Sequence, residues 1–227
     1  LQTNCHASFI VLRNFNKMFS LKFLLLFAIF LDFSCGDEDL ESHFVRHKVV
    51  NDVVGLSPPK LLKMTFDSGA EASLGNVLTP TAVRNKPVEL QWPTRPNSLY
   101  TLIMIDPDAP SRSNPSRRES LHWLVADIPG DNVRAGRELV EYIGAGPPEH
   151  TGMHRYVFLV YLQDGPLDDD PHIKFISKTT LKGRPMFRAQ MFADRHMLGA
   201  PVAGNFFQAE YDDYVPTLHK QIGFSPR

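Results

Sequence analysis

The sequence predicts a mostly β domain, rich in loops, with a few helices at its periphery. Two observations carry this. Three apolar runs at residues 99–105 (LYTLIMI), 122–128 (HWLVADI) and 156–162 (YVFLVYL) have strand length, and turn residues close them. They are apolar on both faces, as strands buried between two layers are. Eighteen prolines are spread along the chain, and proline belongs in turns and is kept out of helix interiors and central strands. With 227 residues, 43% of them hydrophobic, the chain is long enough for one well-buried domain plus an appendage.

The appendage comes first. Lys22, the apolar run 23–31 (FLLLFAIFL) and the small residues Ser34 and Gly36 follow the three-part pattern of a secretory signal. The run is shorter than the roughly 20 apolar residues of a membrane span. A signal starting at Met18 and cut just before Asp37 is expected, with residues 1–17 upstream of it. The domain then occupies 37–227. Cys5 and Cys35 are the chain's two cysteines and both precede the cut. The secreted domain is therefore expected to hold without disulfides, on its apolar core alone.

The remaining elements follow in order. Residues 42–54 predict a short leading helix. Residues 61–66 read as a strand ending at the turn Asp67-Ser68-Gly69, and 87–92 as another ending at Pro93. The three long runs follow. A helix is expected over 184–198, where Phe187, Met191, Phe192 and Leu198 form an apolar stripe before Gly199. Residues 205–209 suggest one more strand. Residues 215–222 predict a closing helix, with Pro216 in its first turn and Gly223 just past its end.

A net charge of −1 gives no support to a nucleic-acid binder working by bulk electrostatics. The patterns HExxH and GxSxG are absent, and no cysteine remains after the cut, so the sequence offers no activated nucleophile or zinc motif. No metal or other cofactor is expected. Asp168-Asp169-Asp170 lacks the ligand ladder of a calcium loop and reads as a surface turn.

Polar groups concentrate in three places: Asp106-Pro107-Asp108-Ala109-Pro110-Ser111-Arg112 after one long run, His122 at the start of the next, and Gly144-Ala145-Gly146-Pro147-Pro148 with His154 and Tyr156 before the third. If consecutive strands run antiparallel, Asp106 and His122 share one end of the sheet, and His154 and Tyr156, two apart, share a face. Imidazole N–H and phenol O–H are donors, and glycines let backbone N–H groups face a ligand, so the cluster suits a phosphate oxygen. Asp106 would either orient an imidazole or pair with an ammonium. Arg112, Arg117 and Arg118 would either steer an anion or stay solvated.

The blocks DPDAPSR…HWLV and GAGPP…TGMHRYVFLVY, with the tail FFQAEYDDYVPTLHKQIG, resemble the phosphatidylethanolamine-binding protein family over roughly residues 61–223. With the leader, the chain looks like that family's secreted nematode antigens. The resemblance implies a central β-sandwich of Greek-key sheets with a few peripheral helices. It also implies a small anion pocket for phosphate or a phospholipid head group, formed by Asp106, His122, Gly146, Pro148, His154 and Tyr156. Peripheral contact with membranes and an extracellular protein partner, as for a protease inhibitor, follow as further expectations. Ser120 stands where many members have an aromatic residue, and His219 where some have tyrosine, which would widen the pocket or weaken head-group contacts.

Overall fold

The computed structural model describes residues 37–167 and 174–225. The leader at 1–36 and the aspartate turn at 168–170 lie outside the described residues. Among the described residues there are seven strands and three main helices, α1 (Asp37–Arg46), β1 (Lys63–Thr65), β2 (Glu89–Gln91), β3 (Leu99–Asp106), β4 (Ser120–Pro129), β5 (Arg137–Val140), β6 (His154–Gln163), α2 (Ala189–Arg195), β7 (Ala203–Ala209) and α3 (Val215–Ile222), with single helical turns at Val49–Asp52 and Val133–Ala135. No helix among the described residues is long and apolar enough to cross a membrane.

The protein is mostly β. Five strands form one antiparallel sheet in the order β5-β4-β3-β6-β7, and β1 and β2 pair separately. Strands β3, β4 and β5 follow one another across the sheet, and β6 returns to lie beside β3, which is a Greek key. Period-two alternation divides the sheet's side chains between two layers. Tyr100, Leu102 and Met104 of β3 join Tyr156, Phe158 and Val160 of β6 on one face, covered by Leu62, Met64 and Phe66. Ile103 and Ile105 join Val157, Leu159 and Tyr161 on the other, covered by Leu40 and Phe44 of α1 and by Ala189 and Phe192 of α2. Covering both faces explains why the central runs lack polar alternation.

The register explains where the polar ends meet. Asp106 pairs with Ser120 and Ile105 with Leu121, whereas Met104 pairs with Trp123. His122 is thus the extra residue of a bulge in β4. A bulge bends the strand and re-aims a side chain. It lets His122 leave the ladder's alternation at the end of the sheet where β3 finishes and β6 begins.

Three expectations need correction. The leading helix starts at Asp37, not residue 42, and ends at Arg46. Beyond it the backbone is turned by positive φ at Lys48 (58°) and Asn51 (83°). The first two strands are three residues long each. The helix expected over 184–198 is confined to Ala189–Arg195. Its first part is held open because the Arg184 guanidinium donates to the carbonyls of Thr180, Leu121, His122, Glu141 and Ser177, and Met186 has φ of 66°. α3 spans the expected residues, and Gly223 caps it at φ 67°, a left-handed conformation that glycine adopts without strain.

Candidate functional site: a polar cleft at the end of the sheet

The ends of β3, β4 and β6, the loop at 144–148 and α3 enclose a cleft of about 70 Å³. Asp106, His122, Gly146, Pro148, His154 and Tyr156 all line it, and so do Ser120 and His219. The structure therefore brings the six residues expected to form the pocket to one place, together with the two that depart from the family pattern.

His154 is held at both ring nitrogens. Nδ1 lies 2.8 Å from Oδ2 of Asp106, and Nε2 lies 3.0 Å from Oγ1 of Thr151. The Thr151 hydroxyl has one proton, which it donates to the carbonyl of Pro148 at 2.7 Å. It must then accept from Nε2–H, while the carboxylate accepts from Nδ1–H. Both nitrogens are donors, so His154 is an imidazolium. Burial works against that charge, but the Asp106 carboxylate, with Asp108 and the Pro110 carbonyl, outweighs it and leaves the His154 pKa raised.

His122 is the opposite case. Its Nδ1 donates to the Ile143 carbonyl at 3.1 Å. Burial, with a smaller push from Arg184, is only partly opposed by Asp106 and the Ile143 and Gly144 carbonyls and brings its pKa down to about 4. The ring is neutral at pH 7, and its remaining nitrogen, Nε2, is an acceptor. Tyr156 packs edge-on against it at 5.2 Å. The Tyr156 oxygen accepts the Gly146 N–H at 3.1 Å, which leaves the phenolic proton to the cleft. Burial raises the Tyr156 pKa well above its ordinary value, so this proton is retained.

These bonds alter the chemistry expected from sequence. The Gly146 N–H is spent on Tyr156 and does not face a ligand. Glycine there lets the loop pack closely on α3, since a Cβ would stand 2.7 Å from Cδ2 of Leu218 and that side chain would have to shift. Nor are both imidazoles free donors, since His154 is fully engaged and His122 is neutral. Of the three arginines, Arg117 lines the cleft. Arg112 is tied to the His47 carbonyl, and Arg118 to the Pro107 carbonyl and to Asp52 and Asp108. Asp108 is buried and paired with the equally buried Arg155, the residue after His154.

His219 braces the loop. Its Nε2 donates to the Gly146 carbonyl at 2.9 Å, and its ring packs on Phe224 at 4.5 Å. Sequence reasoning missed the apolar lip of Leu181, Leu218, Ile222 and Phe224, whose residues read simply as a helix face. It also missed Thr151. A hydroxyl three residues before a histidine that begins a strand was the available signal. A second, larger groove of about 1030 Å³ lies beside β1 and β2 and includes Trp123, Lys86 and Arg134 among its lining.

Fold and cleft define a class: a two-layered, antiparallel Greek-key domain with a polar cleft where the central strands end. The chain belongs to the phosphatidylethanolamine-binding protein family, whose model matches residues 66–207. It is 36% identical over 208 residues to "Putative odorant-binding protein A5" of Drosophila melanogaster, covering 89% of this chain and 98% of that one. The solution structure of CG7054 is 44% identical, covers 77% of this chain and 97% of its own, and superposes with a TM-score of 0.62. The carboxypeptidase Y inhibitor, solved with its cognate proteinase, is 27% identical, covers 82% of this chain and all of its own, and gives a TM-score of 0.67.

Proposed function

We propose that this protein is a secreted, non-catalytic binding protein whose cleft holds a phosphate or the phosphorylethanolamine head group of a phospholipid. The supporting observation is the convergence of Asp106, His122, His154 and Tyr156 in one small cleft. The charges there are Asp106 (−1), His154 (+1) and Arg117 (+1), an excess of one positive charge facing a ligand. The phenolic proton of Tyr156 is a donor for an anion oxygen. The apolar lip of α3 suits the first carbons beyond a head group, which makes peripheral contact with a membrane surface compatible with this reading. Secretion rests on the leader pattern. The likeness to secreted nematode antigens rests on that leader alone, and the relative named above is an insect protein.

Calorimetry of the full chain with phosphorylethanolamine tests this. Tyr156→Phe removes the free donor without changing the ring, and should weaken binding by about 1.5–3 kcal/mol, the scale for a hydrogen bond to a charged group. Equal affinity in the variant contradicts the assignment.

The likeness to the carboxypeptidase Y inhibitor favours a second reading, as a proteinase inhibitor acting through its surface. Titration against carboxypeptidase Y decides it, since an inhibitor reduces peptide hydrolysis in proportion to its concentration.

A further inference from the structure

We propose that His122 makes the cleft select a phosphoryl anion that still carries a proton, in preference to a fully ionised oxyanion of the same shape such as sulfate. This rests on the reading of the cleft as a phosphate site and adds the protonation state of the ligand.

The geometry starts from the bulge in β4. The Arg184 guanidinium donates to the carbonyls of Leu121 and His122 at 3.1 and 3.2 Å, and the His122 carbonyl also accepts the Ile143 N–H at 3.0 Å. The backbone beneath the ring is therefore fixed. The ring itself is held between the Ile143 carbonyl at Nδ1 and the Tyr156 ring at 5.2 Å. A carbonyl only accepts, so Nδ1 keeps its proton and Nε2 is the lone-pair nitrogen of the neutral ring. The Gly144 carbonyl follows that of Ile143 beside the ring, and the hydrogen bond that the ring makes within 3.5 Å is the one at Nδ1. Nε2 is not one of the atoms buried without a partner, which among the described residues are Trp92 Nε1 and Tyr161 Oη. It opens onto the cleft.

The surrounding groups do not offset this. Asp106 on β3 favours a charged His122, but its Oδ2 is committed to His154 and its Oδ1 accepts the Asp108 N–H at 2.7 Å. Arg184, behind the strand, opposes the charge, and burial opposes it most. From β6, His154 presents a fixed positive charge and Tyr156 a neutral phenol. From α3, His219 donates Nε2–H to Gly146, and burial lowers its pKa. Arg117 adds a positive charge at the rim.

An oxyanion seated against Nε2 needs a hydrogen between them. A phosphate monoanion supplies it from its own P–OH. Sulfate has none to give, so its binding requires His122 to take up a proton from solvent. At pH 7 a group with pKa about 4 pays roughly three decades for that proton, at one decade per unit. A phosphate monoester, with a second ionisation near pH 6, gives up only about one decade. A site whose acceptor must be satisfied rejects the analogue that lacks the donor.

The test is calorimetry of the full chain with phosphorylethanolamine and with its sulfate counterpart, ethanolamine O-sulfate, at fixed ionic strength, from about pH 8 to pH 5. The phosphate ester should bind on the order of 100-fold more tightly than the sulfate ester at pH 7, and the gap should close to about tenfold by pH 5. Buffers of differing ionisation enthalpy should show about one proton taken up with each sulfate at pH 7. In His122→Asn, whose amide can donate as well as accept, the preference should fall below about tenfold. Equal affinities in the wild type, or a ratio that ignores pH, overturn the proposal while leaving the phosphate site standing. If neither anion binds, the phosphate reading itself fails and this inference with it.

Discussion

Burial acts on both cleft histidines, and their partners decide the result. His154 meets a carboxylate and a hydroxyl and stays charged. His122 meets a carbonyl and becomes neutral. NMR titration of the free protein should show the His122 ring unchanged down to about pH 4 and the His154 ring titrating above its ordinary 6.5. A His122 that titrates near 6.5 contradicts the assignment. The sign for stability follows. Between pH 6.5 and about 4 the unfolded chain protonates His122 and the folded chain does not, so this contribution is present above 6.5 and is lost on acidification, up to about 3 kcal/mol. The buried Glu119 runs the other way, since its carboxyl is raised to about 7 and favours the folded state as pH falls towards 4.5. Comparing urea stability of wild type and His122→Asn isolates the histidine. The variant should lose less stability than the wild type between pH 6.5 and 4.5, and parallel curves would count against a neutral His122. In Asp106→Asn the counter-charge of His154 disappears, so its pKa should fall below 6.5, and stability should drop by about 1–3 kcal/mol. An unchanged His154 titration would show that another group holds its proton.

At the scale of elements, the cleft depends on how closely α3 and the 144–148 loop approach. Gly146→Ala places a Cβ 2.7 Å from Leu218 Cδ2, an overpacking that should cost about 1–3 kcal/mol. Because Leu218 is the obstacle, adding Leu218→Ala should recover part of that loss, whereas simple additivity in thermal or urea unfolding would contradict the contact. The first segment is secured differently. Arg155 joins β6 to Asp108 in the loop after β3, to Asp52, and to the His47 carbonyl beyond the end of α1. Arg155→Met leaves Asp108 buried without its partner and should destabilise by about 3–5 kcal/mol. A smaller loss, under about 1 kcal/mol, would mean that Arg118, 3.5 Å from Asp108, is sufficient on its own.

For the molecule as a whole, the central strands were legible because burial on both faces leaves apolar runs of strand length, and aromatic and β-branched residues inside them with turn residues at their ends set them apart from helix segments. The convergence of Asp106 and His122 was legible too, since antiparallel order and period two place them at one end. What sequence could not show depends on distant partners. The bulge at His122 is a property of its pairing with β3, not of its own neighbours. The shortened α2 reflects Arg184 reaching five carbonyls across loops. The protonation of each histidine depends on which oxygen faces which nitrogen, and Gly146 serves helix packing where its sequence suggested anion contact.

The central claim is that the cleft at the end of β3, β4 and β6 binds a phosphoryl head group. Backbone amide shifts recorded during titration of the full chain with phosphorylethanolamine test it most directly. The account predicts saturable shifts centred on Asp106, His122, Gly146, His154 and Tyr156, with the groove beside β1 and β2 unaffected. Shifts centred on that groove, around Lys86, Trp123 and Arg134, or no shifts anywhere, would contradict it.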